Sequence, residues 1–169
     1  MKLRLIPRRN RSHGLLRADG HSFPCAIGRG GVTRNKREGD GATPAGEFEL
    51  RRVLYRADRV AAPITALDLN PIGPRDGWCD APGHPEYNHQ VRFPFKASAE
   101  RLRRADPLYD IIIVLGYNDA PVMDGAGSAI FMHIAKTNFA PTAGCIALAR
   151  NDLLAILRRC GPDTRIVVR

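Results

Sequence analysis

The sequence predicts a mostly β domain with one or two short helices, and three observations carry that reading. Ile111-Ile112-Ile113-Val114-Leu115 is a continuous, largely β-branched run, the mark of a strand buried on both faces. Asp19-Gly20 stands between two short apolar segments, where a hairpin needs positive φ. A convincing helical stripe occurs once, in Leu153, Leu154, Ile156 and Leu157.

Taken in order, Leu3 to Ile6 begins a short strand, and Gly14–Arg17 and Ser22–Ile27 form the hairpin around Ala18-Asp19-Gly20. Arg29 to Gly46, rich in Gly, Thr and Pro, is predicted to be loop. Glu47-Phe48-Glu49-Leu50 alternates polar and apolar and runs into Val53-Leu54-Tyr55, a further strand. Between 61 and 94, Pro63, Pro71, Pro74, Pro82, Pro85 and Pro94 interrupt every candidate element. A long irregular stretch inside a small domain is commonly a lid or binding loop, and this one carries the only tryptophan, Trp78. Trp78, Asp80, Tyr87 and Asn88 are therefore read as capping a groove, the aromatic pair for apolar contact and Asn88 for hydrogen bonds. Ser98 to Asp106 reads as a short basic helix. Ala129 to Ile134 is the next strand. Asn151 then caps a helix, with Arg158 and Arg159 in its last turn, Gly161 at its C′ position and Pro162 as the stop. Arg165 to Val168 closes the chain, and residues 1–169 are expected to form one domain.

Composition narrows the class. Hydrophobic residues make up 44% and charged residues 25%, ordinary for a globular protein and unlike a disordered chain. The net charge of +9 favours anionic partners: nucleic acid, an anionic membrane surface or an acidic cell-wall polymer. Its carriers are dispersed in small clusters: Arg8, Arg9 and Arg11; Arg34 to Arg37; Arg51-Arg52; Arg101 to Arg104; Arg158-Arg159. Four scattered cysteines form no CxxC pair, so neither a disulfide scaffold nor a zinc ribbon is expected. Cys25 and Cys160 read as small core fillers. Cys79, His84 and His89 lack a fourth ligand, and no metal or cofactor is expected. Gly28-x-Gly30-Gly31 lacks the strand–turn–helix setting of a dinucleotide site. No run reaches transmembrane length, and Met1 to Gly20 is basic without the apolar stretch of a secretory signal.

Chemistry is concentrated in two segments twelve positions apart. Phe131-Met132-His133-Ile134 ends an apolar run in a histidine, and Thr142-Ala143-Gly144-Cys145-Ile146 sets a cysteine behind Thr-x-Gly. A thiol titrating at about 8.5 needs a neighbouring base to serve as a nucleophile, and His133 is the candidate. No Asp or Asn lies close in sequence to orient the imidazole, so a backbone carbonyl around Ile134 is expected to do so. Gly144 leaves room for a substrate carbonyl, and the N–H groups of Gly144 and Cys145 are the candidate oxyanion donors. The pattern predicts acyl transfer through a thioester.

Asp40-Gly41-Ala42-Thr43-Pro44-Ala45-Gly46-Glu47-Phe48, then His133, then Thr142-Ala143-Gly144-Cys145-Ile146, resembles the YkuD-type L,D-transpeptidase catalytic domain across nearly the whole chain. The resemblance implies a β-sandwich or barrel-like fold and peptidoglycan stem peptides as substrate. It also implies a periplasmic site of action, at odds with the absent signal pattern. By carry-over, Cys145 attacks the bond between meso-diaminopimelate and D-alanine, His133 is the base, and a second diaminopimelate amine resolves the thioester. A carbapenem would react with the same thiol. Thr142, Ala143, Trp78, Tyr87, Asn88 and Arg150 are expected to contact substrate, in a protein expected to be monomeric.

The chain departs from the commonest family loop, Ser-His-Gly-Cys-x-Arg. Ala143 replaces the second histidine and Ala147 the arginine, so a cation near the site must come from elsewhere, with Arg150 or Arg92 as candidates. These departures and the short His-to-Cys interval resemble a small-domain subgroup, some of whose members use L-alanine at stem position one as donor. Two rival functions stand beside this one. A hydrolase with the same site would use water as acceptor, as an L,D-carboxypeptidase or amidase does. A basic nucleic-acid-binding module would use the charge, although no RRM, zinc-finger or helix-turn-helix signature is present.

Overall fold

The computed structural model describes residues 1–9 and 12–169; Arg11 of the N-terminal basic cluster lies outside them. Eight strands close on themselves. Lys2–Pro7 pairs with His13–Ala18, which pairs with His21–Ala26 through the expected two-residue turn, Asp19 and Gly20 both taking positive φ. From His21–Ala26 the ring continues through Ile146–Leu148, Phe131–Ile134, Ile111–Leu115, Gly46–Tyr55 and Arg165–Val168, and returns to Lys2–Pro7. Closure leaves no free edge along these strands. The mostly β, barrel-like expectation is met.

Strand alternation sorts side chains between two apolar clusters. On Ile111–Leu115, residues Ile111, Ile113 and Leu115 enter the larger cluster with Leu3, Leu5, Met132 and Ile146. Ile112 and Val114 point the other way, into a second cluster with Trp78, Leu102, Tyr109, Phe131 and Cys145. The run is buried on both faces, as its composition predicts. The helix Arg150–Leu157 packs Leu153, Ile156 and Leu157 into the larger cluster.

Over the second cluster lies the Pro-rich region, and it is more ordered than its sequence suggests. Asp76–Cys79 pairs with Gln90–Arg92 on one side and with Ala99–Arg101 on the other, making a three-stranded roof. The predicted helix over Ser98–Asp106 is therefore a strand followed by loop. Helix-forming residue types yield there because Leu102 is fully buried and its N–H donates to Asp76 O (3.1 Å). Within the Arg29–Gly46 loop, Val32–Thr33 and Thr43–Pro44 form a short parallel pair.

The ends of the helix also differ from expectation. Ala149, not Asn151, is the N-cap, and no side chain caps it, because the strand Ile146–Leu148 runs almost directly into the first turn. Arg158 is the C-cap, so neither Arg158 nor Arg159 lies in the last turn. Gly161 instead opens the turn to the closing strand, its N–H donating to Thr164 Oγ1 (2.9 Å). No helix among the described residues is long and apolar enough to cross a membrane.

Candidate active site

His133 sits on Phe131–Ile134, two residues beyond Phe131 and on the same face of the strand, under the roof. The neighbouring strand Ile146–Leu148 is parallel, with His133 opposite Ala147. Cys145 immediately precedes that strand, and its Sγ accepts from Phe131 N–H (3.4 Å). Imidazole and thiol thus come from adjacent strands onto one wall of a cavity of about 290 Å³. Both are largely buried, at 6% and 8% exposure.

The imidazole is oriented as the sequence suggests. His133 Nδ1 lies 2.9 Å from the Ile134 carbonyl, which can only accept, so Nδ1 carries the hydrogen and Nε2 keeps its lone pair. Burial pushes the imidazole down to about 4, the Ile134 carbonyl offsetting only part of the effect. Burial likewise pushes the Cys145 thiol up to about 12, and the Glu100 charge adds to it. Both shifts favour a neutral thiol beside a neutral imidazole at rest. The thiol donates to the Ala129 carbonyl (3.2 Å).

The cysteine loop is held from two sides. Thr142 Oγ1 donates to the Cys145 carbonyl (2.6 Å) and accepts from Gly144 N–H (3.1 Å). This occupies one of the two predicted oxyanion donors and leaves the Cys145 N–H, next along the loop, for that role. Gly144 has φ +142°, and a Cβ there would stand 2.9 Å from the Ala42 carbonyl oxygen. Behind the loop, Thr142 N–H donates to Ile27 O (3.0 Å) and Arg29 N–H to Thr142 O (2.9 Å). Thr43 completes the stack, its Oγ1 accepting from Gly28 N–H (2.9 Å). Asp40 closes its own loop by accepting from the N–H groups of Arg37 (2.8 Å) and Ala42 (2.8 Å). The early Asp-Gly-x-Thr-Pro segment is thus the buttress of the cysteine loop, which explains why both occur in one sequence.

Other predicted contacts fall elsewhere. Thr142 and Ala143 line the cavity; Trp78, Tyr87, Asn88 and Arg150 do not. Trp78 is buried edge-on against Phe131 at 5.0 Å between ring centroids, so its area secures the roof. Asn88, at 5% exposure, is fully engaged. Its Oδ1 accepts from Trp78 Nε1 (2.9 Å) and Ala129 N–H (3.0 Å), and its Nδ2 donates to the carbonyls of Tyr117 and Asn118. It acts on the site through Ala129, the residue whose carbonyl holds the thiol. The Tyr87 hydroxyl donates to Glu38 Oε2 (2.5 Å), and Arg150 pairs with the buried Asp110 (2.7 Å). Arg92 is an exposed roof residue 3.9 Å from Asp76.

The cations of the cavity are Arg29, Arg104 and Lys136, with Glu38, Asp80 and Glu100 as its carboxylates. Tyr109, buried, stands edge-on to His133 at 5.2 Å and beneath the Arg104 guanidinium at 5.1 Å. Sequence reasoning missed Arg104, Lys136, Glu38, Glu100 and Tyr109 as wall residues. Among the described residues, no cluster of three or more His, Cys, Asp or Glu is arranged to hold a metal ion.

In this closed β domain the histidine lies on one strand and the cysteine just ahead of its parallel neighbour, on a loop buttressed by the Thr-Pro segment. Residues 8–168 match the L,D-transpeptidase catalytic domain family, YkuD, and the chain belongs to that family, whose members modify peptidoglycan. Comparison with curated proteins and with solved structures gave no match.

Proposed function

We propose that this protein is a peptidoglycan L,D-transpeptidase working through a thioester on Cys145. The observation that carries the proposal is the His133 imidazole, tied by Nδ1 to Ile134 and lining the same cavity as Cys145. As Sγ attacks the donor carbonyl, His133 Nε2 takes the thiol proton in the same step, because neither group is ionised beforehand. The Cys145 N–H stabilises the developing oxyanion. Collapse expels the leaving amine, which receives the proton from Nε2, and an acceptor amine then attacks the thioester to form the crosslink.

The donor is a stem-peptide carbonyl, either that of diaminopimelate (3-3 type) or that of L-alanine (1-3 type). Arg29, Arg104 and Lys136 supply the positive charge that stem-peptide carboxylates require, in place of the arginine absent at position 147. The substrate places the site of action at the wall, in the periplasm. Incubation with purified muropeptides followed by product mass is the test. Crosslinked dimers are expected, and trimmed monomers alone would reassign the protein as a hydrolase. Full activity in Cys145→Ala would reject the nucleophile.

A further inference from the structure

The cavity holds a carboxylate that the thiol and imidazole do not explain. Glu100 lies on the roof strand Ala99–Arg101, opposite Trp78 in register, and lines the cavity that holds Cys145 and His133. Its Oε1 accepts from the Tyr109 hydroxyl (2.7 Å), and Arg104 Nη1 stands 4.0 Å from the same oxygen. Both partners engage Oε1, which leaves Oε2 for a ligand. Tyr109 in turn packs edge-on to the His133 ring, so the carboxylate is tied to the floor of the site. Asp80, just after the adjacent roof strand Asp76–Cys79, also lines the cavity. Its Oδ1 is buried and, among the described residues, has no hydrogen-bond partner. A buried acceptor left unpaired costs about 1–3 kcal/mol unless a ligand donates to it.

Transpeptidation has a proton problem that hydrolysis lacks. A primary amine acceptor arrives as an ammonium ion, since such amines titrate near 10 as lysine does. It must lose one proton before it can attack and a second as the amide forms. His133 Nε2 accounts for the second alone.

We propose that Glu100, assisted by Asp80, binds the ammonium group of the acceptor and removes its first proton. This rests on the transpeptidase reading and deepens it, because the substrate so selected is a primary amine. The ammonium ion and the Glu100 carboxylate become free amine and carboxylic acid. Amine nitrogen then bonds to the thioester carbon and the C–S bond breaks. The second amine proton passes through His133 Nε2 to the departing sulfur, regenerating the Cys145 thiol, and Glu100 returns its proton to solvent. Burial raises the Glu100 carboxyl above the ordinary range, with the facing Asp80 and Glu38 charges adding and Tyr109 and Arg104 opposing. A raised carboxyl is the better proton acceptor.

Glu100→Gln separates this role from a structural one. With muropeptides from bacterial sacculi, acylation of Cys145 is followed by intact mass, and transfer is followed to two acceptors. One is the muropeptide amine, protonated at neutral pH; the other is hydroxylamine, which is not. The variant is expected to acylate, and its hydroxamate formation, taken as a ratio to its own acylation rate, to stay within about twofold of the wild-type ratio. Crosslinking should fall roughly a hundredfold at neutral pH and recover as the pH approaches the acceptor's own titration. Crosslinking by Glu100→Gln at the wild-type rate, or equal loss with both acceptors, overturns the proposal while leaving the transpeptidase reading intact. Failure of wild-type Cys145 to acylate overturns both.

Discussion

The floor and the roof of the cavity are built on different principles. The floor, Phe131–Ile134 and the Thr142–Cys145 loop, is strand-borne and locked by backbone pairing in which side-chain identity matters at few positions. The roof, Asp76–Cys79 with its two neighbours, is a small sheet anchored by side chains: Trp78 on Phe131, Asn88 on Ala129, Tyr109 on Glu100. Backbone geometry fixes where the chemistry happens, and side-chain packing decides what surrounds it.

Removing the roof's anchor is the severest way to break this division. Trp78→Ala deletes a buried indole and the donor to Asn88, and is expected to cost about 3–5 kcal/mol in denaturant unfolding. Activity should fall with it, since Ala129 loses its brace. Next in size is a pH effect confined to the floor. With the thiol held near 12 and the imidazole near 4, alkylation of Cys145 by iodoacetamide should climb about tenfold per pH unit from 7 to 9. A flat profile across that range, read on the Cys145 peptide by mass spectrometry, would reveal a preformed thiolate–imidazolium pair instead. A smaller effect is expected at Thr43→Val, which never touches the cavity. It strands the buried Gly28 N–H at a cost of about 1–3 kcal/mol and should lower turnover through the Thr142 loop. Least of all should follow from Arg92→Gln, within about 0.5 kcal/mol and with unchanged kinetics, because the side chain is 70% exposed. Arg104→Gln, by contrast, should raise KM for anionic stem peptides, and equal behaviour of the two variants would erase the distinction between cavity and surface arginines.

Legibility in the sequence follows the same division. His133, Ile134, Thr142 and Cys145 are readable because their relations are local or follow from strand alternation. Asp40 bonds near neighbours in the predicted loop, Arg37 and Ala42, whereas the partner of Thr43 is not local: Gly28 lies fifteen positions away. In the roof the residue types mislead. Trp78 and Tyr87 look like ligand contacts, yet Trp78 is spent on packing and the Tyr87 hydroxyl on Glu38, while one of the carboxylates that reach the cavity, Glu100, lies in a stretch with helical composition. Within Ser98–Asp106, Ala99–Arg101 becomes a strand only because Asp76–Cys79 offers it an edge, a fact of tertiary pairing. Arg104 and Lys136 join the cavity from segments whose own patterns give no reason to single them out.

Parallel pairing of the histidine and cysteine strands has a consequence for change over time. The span of the two chemical groups is set by hydrogen bonds between adjacent staves of a closed barrel and by the Thr142 clasp, so the six residues 136–141 between them carry no duty of distance. Lys136, Ala140 and Pro141 in that link nonetheless line the cavity that holds Cys145 and His133. Lengthening or rewriting the link would remodel what enters while the reacting atoms stay where they are, giving substrate choice room to diverge without disturbing the reaction.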